Sequence, residues 1–416
     1  MSYAVPPVPP GVADAPEAQA TYLLEDGFTT APDDALLGKL RQGRPLRVKF
    51  GVDPTAPAVT WGWSVPLRRL RRFQELGHTA VLVIGDFTAQ VGDPSGRSAT
   101  RVRLTDEQVN RYVDSCMASL LEILSPDNLE VRRNSEWPGS LGMAGIIELA
   151  AQATVAQLLE RDDFSKRFGA HEPISLIELM YPLLQGQDSV VIRADIELGG
   201  TDQYFNFMLA RVLQQRAQQQ PQAHVCAPLL VGTDGRKKMS QSLGNYIGIA
   251  EDPKEIFGKV MSIPDEITPD YVRLALDLRP EEKDAMIESL QGVQLKRCLA
   301  RQMVTIFYDE DAAYAAEGEF DRVFVRRDLP SEMRHHATAE HYVPRILVDL
   351  GFASSLGDAR RGIKGGGVRV DGRAIADEHA NLDEGTWVLQ HGRRRFARVT
   401  VSPAPSNAAD LARQDQ

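Results

Sequence analysis

Residues 47–101 read RVKFGVDPTAPAVTWGWSVPLRRLRRFQELGHTAVLVIGDFTAQVGDPSGRSATR, and this stretch decides the fold. Val48, Phe50 and Val52 alternate with polar or small residues, as in a strand. Asp53-Pro54-Thr55 and Ala56-Pro57 break it. Val65, Leu70, Phe73 and Leu76 then recur at helical spacing, with Arg68, Arg69, Arg71 and Arg72 on the other face. Gly77 ends the helix, and Ala80-Val81-Leu82-Val83-Ile84 suits a buried parallel strand. A strand feeding a loop and a helix N-terminus is how an α/β fold makes an anion site.

Working outward, the spacing predicts helix over residues 21–45, a helix opened by a Thr105/Gln108 capping box, and a strand at Leu129–Arg132. Further helices are expected at Met143–Leu159 and Ile174–Leu184, and strands at Val190–Ile196 and Ala227–Val231. The polar loop GTDGRKKMSQSLGN, residues 232–245, follows. Alternating strands and helices with short links imply a doubly wound parallel sheet. Residues 249–338 carry charged helical patterns only. From residue 339 a small α+β pattern begins, with helices around Gly351 and Ser355, a Gly365-Gly366-Gly367 break, and a hairpin from Trp387 to Val401 around His391-Gly392.

Composition limits the function classes. The chain has 416 residues, 43% hydrophobic and 25% charged, with a net charge of -10, which argues against whole-surface binding of nucleic acid but allows a local basic patch. Cys116, Cys226 and Cys298 have no metal-binding spacing, so no metal is expected, and they suit a reducing cytoplasm. No apolar run reaches the roughly 18 residues of a membrane span, and MSYAVPPVPPGVADAP lacks the basic start and apolar core of a secretory signal.

GVDPTAP, an apolar helix and IGDFTAQVGDPSG resemble bacterial tyrosyl-tRNA synthetases, class I enzymes with a Rossmann-like core. Composition makes the first part of an N-terminal extension over 1–45 mobile, to about residue 20, and the tail over 403–416 disordered; the resemblance implies a core with a dimer-forming insertion over 46–248, a helical domain over 249–338 and an S4-like RNA-binding domain over 339–402. It implies that Asp188 receives a tyrosine phenol, that Tyr181 and Gln185 hold the amino-acid end, and that Lys49, Thr88, Asp93 and Gln203 surround the substrate. The spacing of Tyr181, Gln185 and Asp188 puts all three on one helical face.

The nucleotide signatures depart from the family. Its His-x-Gly-His stands here as Thr60-Trp61-Gly62-Trp63, so both imidazoles are missing. Its Lys-Met-Ser-Lys-Ser stands as Lys238-Met239-Ser240-Gln241-Ser242, so one ammonium is missing. Asp53 and Thr55 are retained, and Arg97 replaces the usual lysine. Each lost transition-state donor costs about 10²–10³ in rate, and three together roughly 8–12 kcal/mol if they were additive. Trp63 is expected to fill nucleotide space, and Trp61 either to join it or to pack in the core. At the C-terminal end, Arg345, Arg360, Arg361, Lys364, Arg369 and Arg393 form the basic patch expected to contact tRNA phosphates.

A kept tyrosine pocket beside an altered ATP site favours a repurposed, ATP-independent acyl transfer that uses tyrosine or tyrosyl-tRNA, with no cofactor. The alternatives are a working tyrosine–tRNA ligase, for which ATP is required, and a non-catalytic regulator that binds tyrosine or tRNA. A homodimer is implied in each case.

Overall fold

The strand Arg47–Val52 (β2) sits in the middle of a six-stranded sheet, with Val48, Lys49, Phe50 and Val52 buried. A computed structural model describes residues 3, 5–93, 104–392 and 395–403. The expected tail from residue 404 on, Arg97, Arg393 and the Pro94-Ser95-Gly96 part of the second glycine loop lie outside these residues. The chain divides into two compact units, Met1–Glu317 and Gly318–Gln416.

In the first unit β2 is flanked by Thr79–Ile84 (β3) and Ile196–Gly200 (β5), both parallel to it. Leu129–Arg133 (β4) extends the sheet beyond β3, and Ala223–Ala227 (β6) beyond β5, again in parallel. Thr29–Ala31 (β1) closes the far edge, antiparallel to β6. The spatial order is β1-β6-β5-β2-β3-β4. Helices cross between parallel strands, so every retained strand tip points the same way and can frame one site.

The helix Trp61–Glu75 starts where Thr60, as N-cap, accepts a hydrogen bond from the Trp63 N–H. The helix Asp106–Ile123 opens on the expected Thr105/Gln108 capping box. Its neighbours differ from the sequence reading in instructive ways. Residues 21–45 are not one helix: Pro16–Leu23 and Ala35–Leu40 are helical, and β1 lies between them. Met143–Leu159 divides into Pro138–Ala150 and Val155–Leu158, because Thr154 caps a new helix. The Val190–Ile196 strand is absent. The helix Leu176–Val191 runs through its first residues, Arg193 takes a left-handed φ of 52°, and β5 begins only at Ile196. β6 ends at Ala227, where a strand was expected to begin, since Pro228 has no N–H for the ladder.

The four arginines of the Trp61–Glu75 helix do not form a solvated face. Arg68, Arg69 and Arg72 are buried and paired with Asp277, Asp26 and Glu25 at 2.7, 3.2 and 2.8 Å. The guanidiniums of Arg69 and Arg72 lie 4.1 and 4.6 Å from the Phe28 and Tyr22 ring centres.

The second unit carries a sheet in the order β7-β11-β10-β8-β9. Gly385–His391 (β10) and Arg395–Val401 (β11) form the expected hairpin. Arg334–Thr338 (β7) lies parallel to β11, and Val368–Val370 (β8) and Arg373–Ala374 (β9) complete the sheet. The helices Val343–Asp349 and Leu356–Lys364 pack Ile346, Leu347, Ala359 and Ile363 onto Leu389 and Val399.

Candidate active site

The C-terminal tips of β2, β3, β5 and β6 surround a cleft of about 840 Å³. One wall is the helix Leu176–Val191, begun by a Ser175/Glu178 capping box. Tyr181, Gln185 and Asp188 all face this cleft from it, as their spacing predicts. The opposite end is lined by Thr60, Gly62 and Trp63 and by the loop residues Lys237 to Leu243.

The first end is a dense acidic network. Asp53, in the loop after β2, accepts from the Tyr181 hydroxyl at 3.0 Å and from Thr88 Oγ1 at 2.7 Å. Asn134 Nδ2 donates to Thr88 Oγ1 at 2.9 Å. Burial pushes the Asp53 carboxyl up to about 7, against the lowering effect of its Thr88 hydrogen bond. Its oxygen fills the space a Cβ on Gly85 would need, only 2.0 Å away, so that glycine is required. Asp93 accepts from Gln203 Nε2 at 3.0 Å and pairs with Arg161 at 3.4 Å. Asn206 Nδ2 donates to Gln185 Oε1 at 2.7 Å and to Gln203 Oε1 at 2.9 Å.

Asp188 is buried and accepts from the indole Nε1 of Trp137 at 2.8 Å. Burial raises it to about 7, while the Lys49 ammonium and the hydrogen bonds from Trp137 and Asn134 pull it down. Lys49 lines the cleft floor but presents no free proton to it. It is fully buried and donates to the Gln185 carbonyl at 2.8 Å and to Ser189 Oγ at 2.9 Å, and it pairs with Glu197 at 2.9 Å. Trp137, Asn134, Asn206 and Glu197 are absent from the sequence reading. No periodicity marks them: Trp137 and Asn134 act from distant segments, and Asn206 and Glu197 from neighbouring elements whose approach only the fold sets.

The second end differs in kind. Thr60 Oγ1 caps the Trp63 N–H at 3.3 Å, and the Gly62 N–H meets Met239 Sδ at 3.2 Å. The first-turn N–H groups that an anion would use are therefore engaged internally. Trp63 is half-buried and lines the cleft, as expected. Of the two places expected for Trp61, it takes the core: it is 0% exposed, packs edge-on against Phe307 at 5.2 Å, and lies outside the cleft lining. The helix turn sends residue 61 into the core while 60, 62 and 63 border the opening.

The loop over residues 232–245 is held by its own bonds. Asn245 accepts from the Ser240 N–H at 2.9 Å and donates to Asp234 Oδ2 at 3.0 Å. Ser240 and Ser242 hydroxyls lie 3.0 Å apart. Lys238 pairs with Asp202 at 2.6 Å. The Gln241 amide is buried at both its nitrogen and its oxygen, with no hydrogen-bond partner for either among the described residues. Thr55 lines the cleft beside Asp53. No cluster of His, Cys, Asp or Glu suited to a metal ion occurs among the described residues.

In the second unit the basic residues are tethered but outward. Arg360 donates to the Tyr342 hydroxyl at 2.9 Å, Lys364 pairs with Glu378 at 2.8 Å, and Arg345 pairs with Asp349 at 3.2 Å. Arg361 is exposed, 3.4 Å from Asp358. Arg369 donates to the Gly372 carbonyl at 3.1 Å.

Comparison with known proteins gives these features a common origin. Residues 41–325 match the family of class I tRNA synthetases for W and Y, and residues 343–388 match the S4 domain. The chain is 45% identical to the tyrosine–tRNA ligase of Moorella thermoacetica over 381 residues, covering 88% of this chain and 92% of that one. It is 46% identical to that of Haemophilus influenzae, covering 88% and 93%, and 43% identical to that of Aquifex aeolicus, covering 92% and 99%. Among solved structures, a C-terminally truncated mitochondrial tyrosyl-tRNA synthetase of Aspergillus nidulans aligns with a TM-score of 0.60 at 19% identity, over 76% of this chain and 95% of that one. Tyrosyl-tRNA synthetase from Archaeoglobus fulgidus, complexed with L-tyrosine, aligns at 0.59 and 19%, over 72% and 99%; both agree in fold. With a parallel α/β core, an S4 module and whole-length identity near one half, the chain belongs to the class I tyrosyl-tRNA synthetase family.

Proposed function

We propose that the protein is a tyrosine–tRNA ligase with an altered nucleotide end. One observation carries this reading: 43–46% identity to curated tyrosine–tRNA ligases extends over 88–92% of the chain, through core and S4 module alike. It weighs more than the ATP-independent transfer favoured by the signatures alone.

In this reading Asp188 accepts a hydrogen bond from the tyrosine phenol, which penalises phenylalanine because the buried carboxylate would lose that donor and keep only those of Trp137 and Asn134. Asp53, Asp93, Tyr181 and Gln185 hold the amino-acid end. The substrate carboxylate attacks the α-phosphorus of ATP, and pyrophosphate leaves. A terminal ribose hydroxyl of tRNA then attacks the acyl carbon, and AMP leaves. Lys238 supplies positive charge near the phosphates once freed from Asp202. Trp63 and Gln241 supply only neutral donors where the family has cations. Activation is thereby slowed, while recognition of tyrosine is kept.

The test is tyrosine-dependent exchange of pyrophosphate into ATP, followed by charging of tRNA. Exchange above background with tyrosine, and none with phenylalanine, supports the ligase. Tight tyrosine binding with no exchange refutes it. The engaged first-turn N–H groups and the unpartnered Gln241 amide favour a second reading without ATP, in which a nucleophilic acceptor takes the tyrosyl group from tyrosyl-tRNA and the tRNA ribose hydroxyl leaves. Turnover of preformed tyrosyl-tRNA by an exchange-silent protein would select it. The S4 unit's outward arginines are the tRNA contact in both readings. Exposed Met143, Ile147, Phe168 and Leu176, an apolar set on the core unit, suit a homodimer interface.

A further inference from the structure

Beneath the cleft lies a charged pair that the reaction scheme above does not use. Lys49 on β2 and Glu197 on β5 occupy paired positions of adjacent strands, both fully or nearly fully buried, with 2.9 Å between Nζ and Oε1. All three Lys49 protons are committed: to Glu197, to the Gln185 carbonyl and to Ser189 Oγ. Glu197 accepts in addition from Gln185 Nε2 at 3.2 Å, from Ser189 Oγ at 3.1 Å, and from Gln222 Nε2. The pair thus grips the helix Leu176–Val191 at the turn that carries Gln185 and Asp188, by backbone and side chain together.

We propose that Lys49 and Glu197 are positioning residues that set the preference of the cleft for a phenolic over a phenyl side chain, by fixing Asp188 and balancing its charge. This rests on the tyrosine reading of the cleft. The groups that face Asp188 divide by sign and by element. Lys49 on β2 favours its ionised form, and Glu197 on β5 opposes it. Asp53 on the loop after β2 is a further acid coupled to it, and Tyr181 on its own helix is a phenol held protonated, mainly by burial. Trp137 and Asn134 donate neutral hydrogen bonds. His224 beside Glu197 is pushed down to about 4, mainly by burial, and stays uncharged near neutral pH. Removing Lys49 therefore leaves Asp188 among acids and neutral donors. Asp188 then holds its proton, and a protonated carboxyl loses its strongest reason to reject phenylalanine.

Trp137 provides a direct reporter, because its indole N–H donates to Asp188. Protein labelled with ¹⁵N-tryptophan is titrated with no ligand present, with Trp137→Phe to assign the signal. The wild-type indole resonance is expected to titrate near neutral pH. Its midpoint should rise by about one unit in Lys49→Met and fall by a similar amount in Glu197→Gln. A purely structural role would move both variants alike or neither. Calorimetric binding of tyrosine and phenylalanine at pH 7 follows. Lys49→Met is expected to lose about fivefold of its preference for tyrosine, as less of Asp188 is ionised at that pH, and Glu197→Gln to gain up to about twofold. If Lys49→Met does not fold, the near-isosteric Glu197→Gln carries the test through its downward shift. Unmoved midpoints in folded variants, or a wild-type resonance flat across neutral pH, overturn the proposal. Failure of the wild-type protein to bind tyrosine, with midpoints shifted as described, overturns the tyrosine reading instead.

Discussion

The two ends of one cleft are built on opposite principles. At the amino-acid end, charged and polar side chains are buried and nearly every one has a named partner, from Asp53 with Tyr181 and Thr88 to Lys49 with Glu197. At the end proposed for the nucleotide, Lys237 and Lys238 are the only cations in the lining among the described residues, Lys238 is paired with Asp202, and the backbone donors are satisfied by Thr60 and Met239. A half-satisfied buried network is costly, so the first end resists piecemeal change. The second end is a helix terminus and a loop, where a substitution removes rate without unfolding the protein. On the proposed ligase reading, the contrast explains how substitution could fall on the ATP signatures and spare the pocket.

The comparison breaks most sharply if the missing cations are returned. Thr60→His, Trp63→His and Gln241→Lys together should raise tyrosine-dependent pyrophosphate exchange by about 10² or more. No gain would mean that the nucleotide end has been rebuilt rather than depleted. Next in size, Asp188→Asn should weaken tyrosine binding about 10–100-fold, measured by calorimetry, since a buried acceptor for the phenol is lost. An unchanged affinity would remove Asp188 from the pocket.

The acidity of the first end sets a third expectation. Asp53 and Asp188 are raised to about 7 in the folded protein, chiefly by burial, and both ionise near 4 when unfolded. A carboxyl raised by folding stabilises the fold fully below its unfolded pKa, and that contribution is lost as pH rises through its folded value. Thermal stability should therefore decline between about pH 4 and 7 from these two groups. Asp53→Asn should recover part of it, raising the melting temperature at pH 8 by a few degrees, equivalent to about 1 kcal/mol. A lower melting temperature would show that the Tyr181 and Thr88 bonds outweigh desolvation. The smallest effect concerns the S4 unit: Arg361→Ala should weaken tRNA binding only a few-fold and reduce its salt dependence by about one ion. A filter-binding slope that does not change would take Arg361 out of the contact.

Much of this was legible beforehand because it is local. The alternation in Val48–Val52, the apolar run at Ala80–Ile84 and the capping box at Thr105 act within a few residues, and each appears where expected. Tyr181, Gln185 and Asp188 were readable as one face because seven residues of helix bring them there. Val190-Val191-Ile192 misleads because the apolar run marks the end of a helix and not a strand: Val190 is half-buried, Val191 exposed, and only Ile192, the C-cap, is buried. The partners of the pocket were invisible for a different reason. Trp137 reaches Asp188 from 51 residues away, and Lys49 meets Ser189 across 140. Only the folded sheet makes such neighbours.

The buried arginines Arg68, Arg69 and Arg72 carry a mechanical meaning. They rivet the shaft of the Trp61–Glu75 helix to Glu25, Asp26 and Asp277, and Lys283 doubles the clamp on Asp26 at 2.7 Å. A helix so bolted is pinned by carboxylates from two distant stretches of the chain, and loss of any one of them would strand a cation away from water.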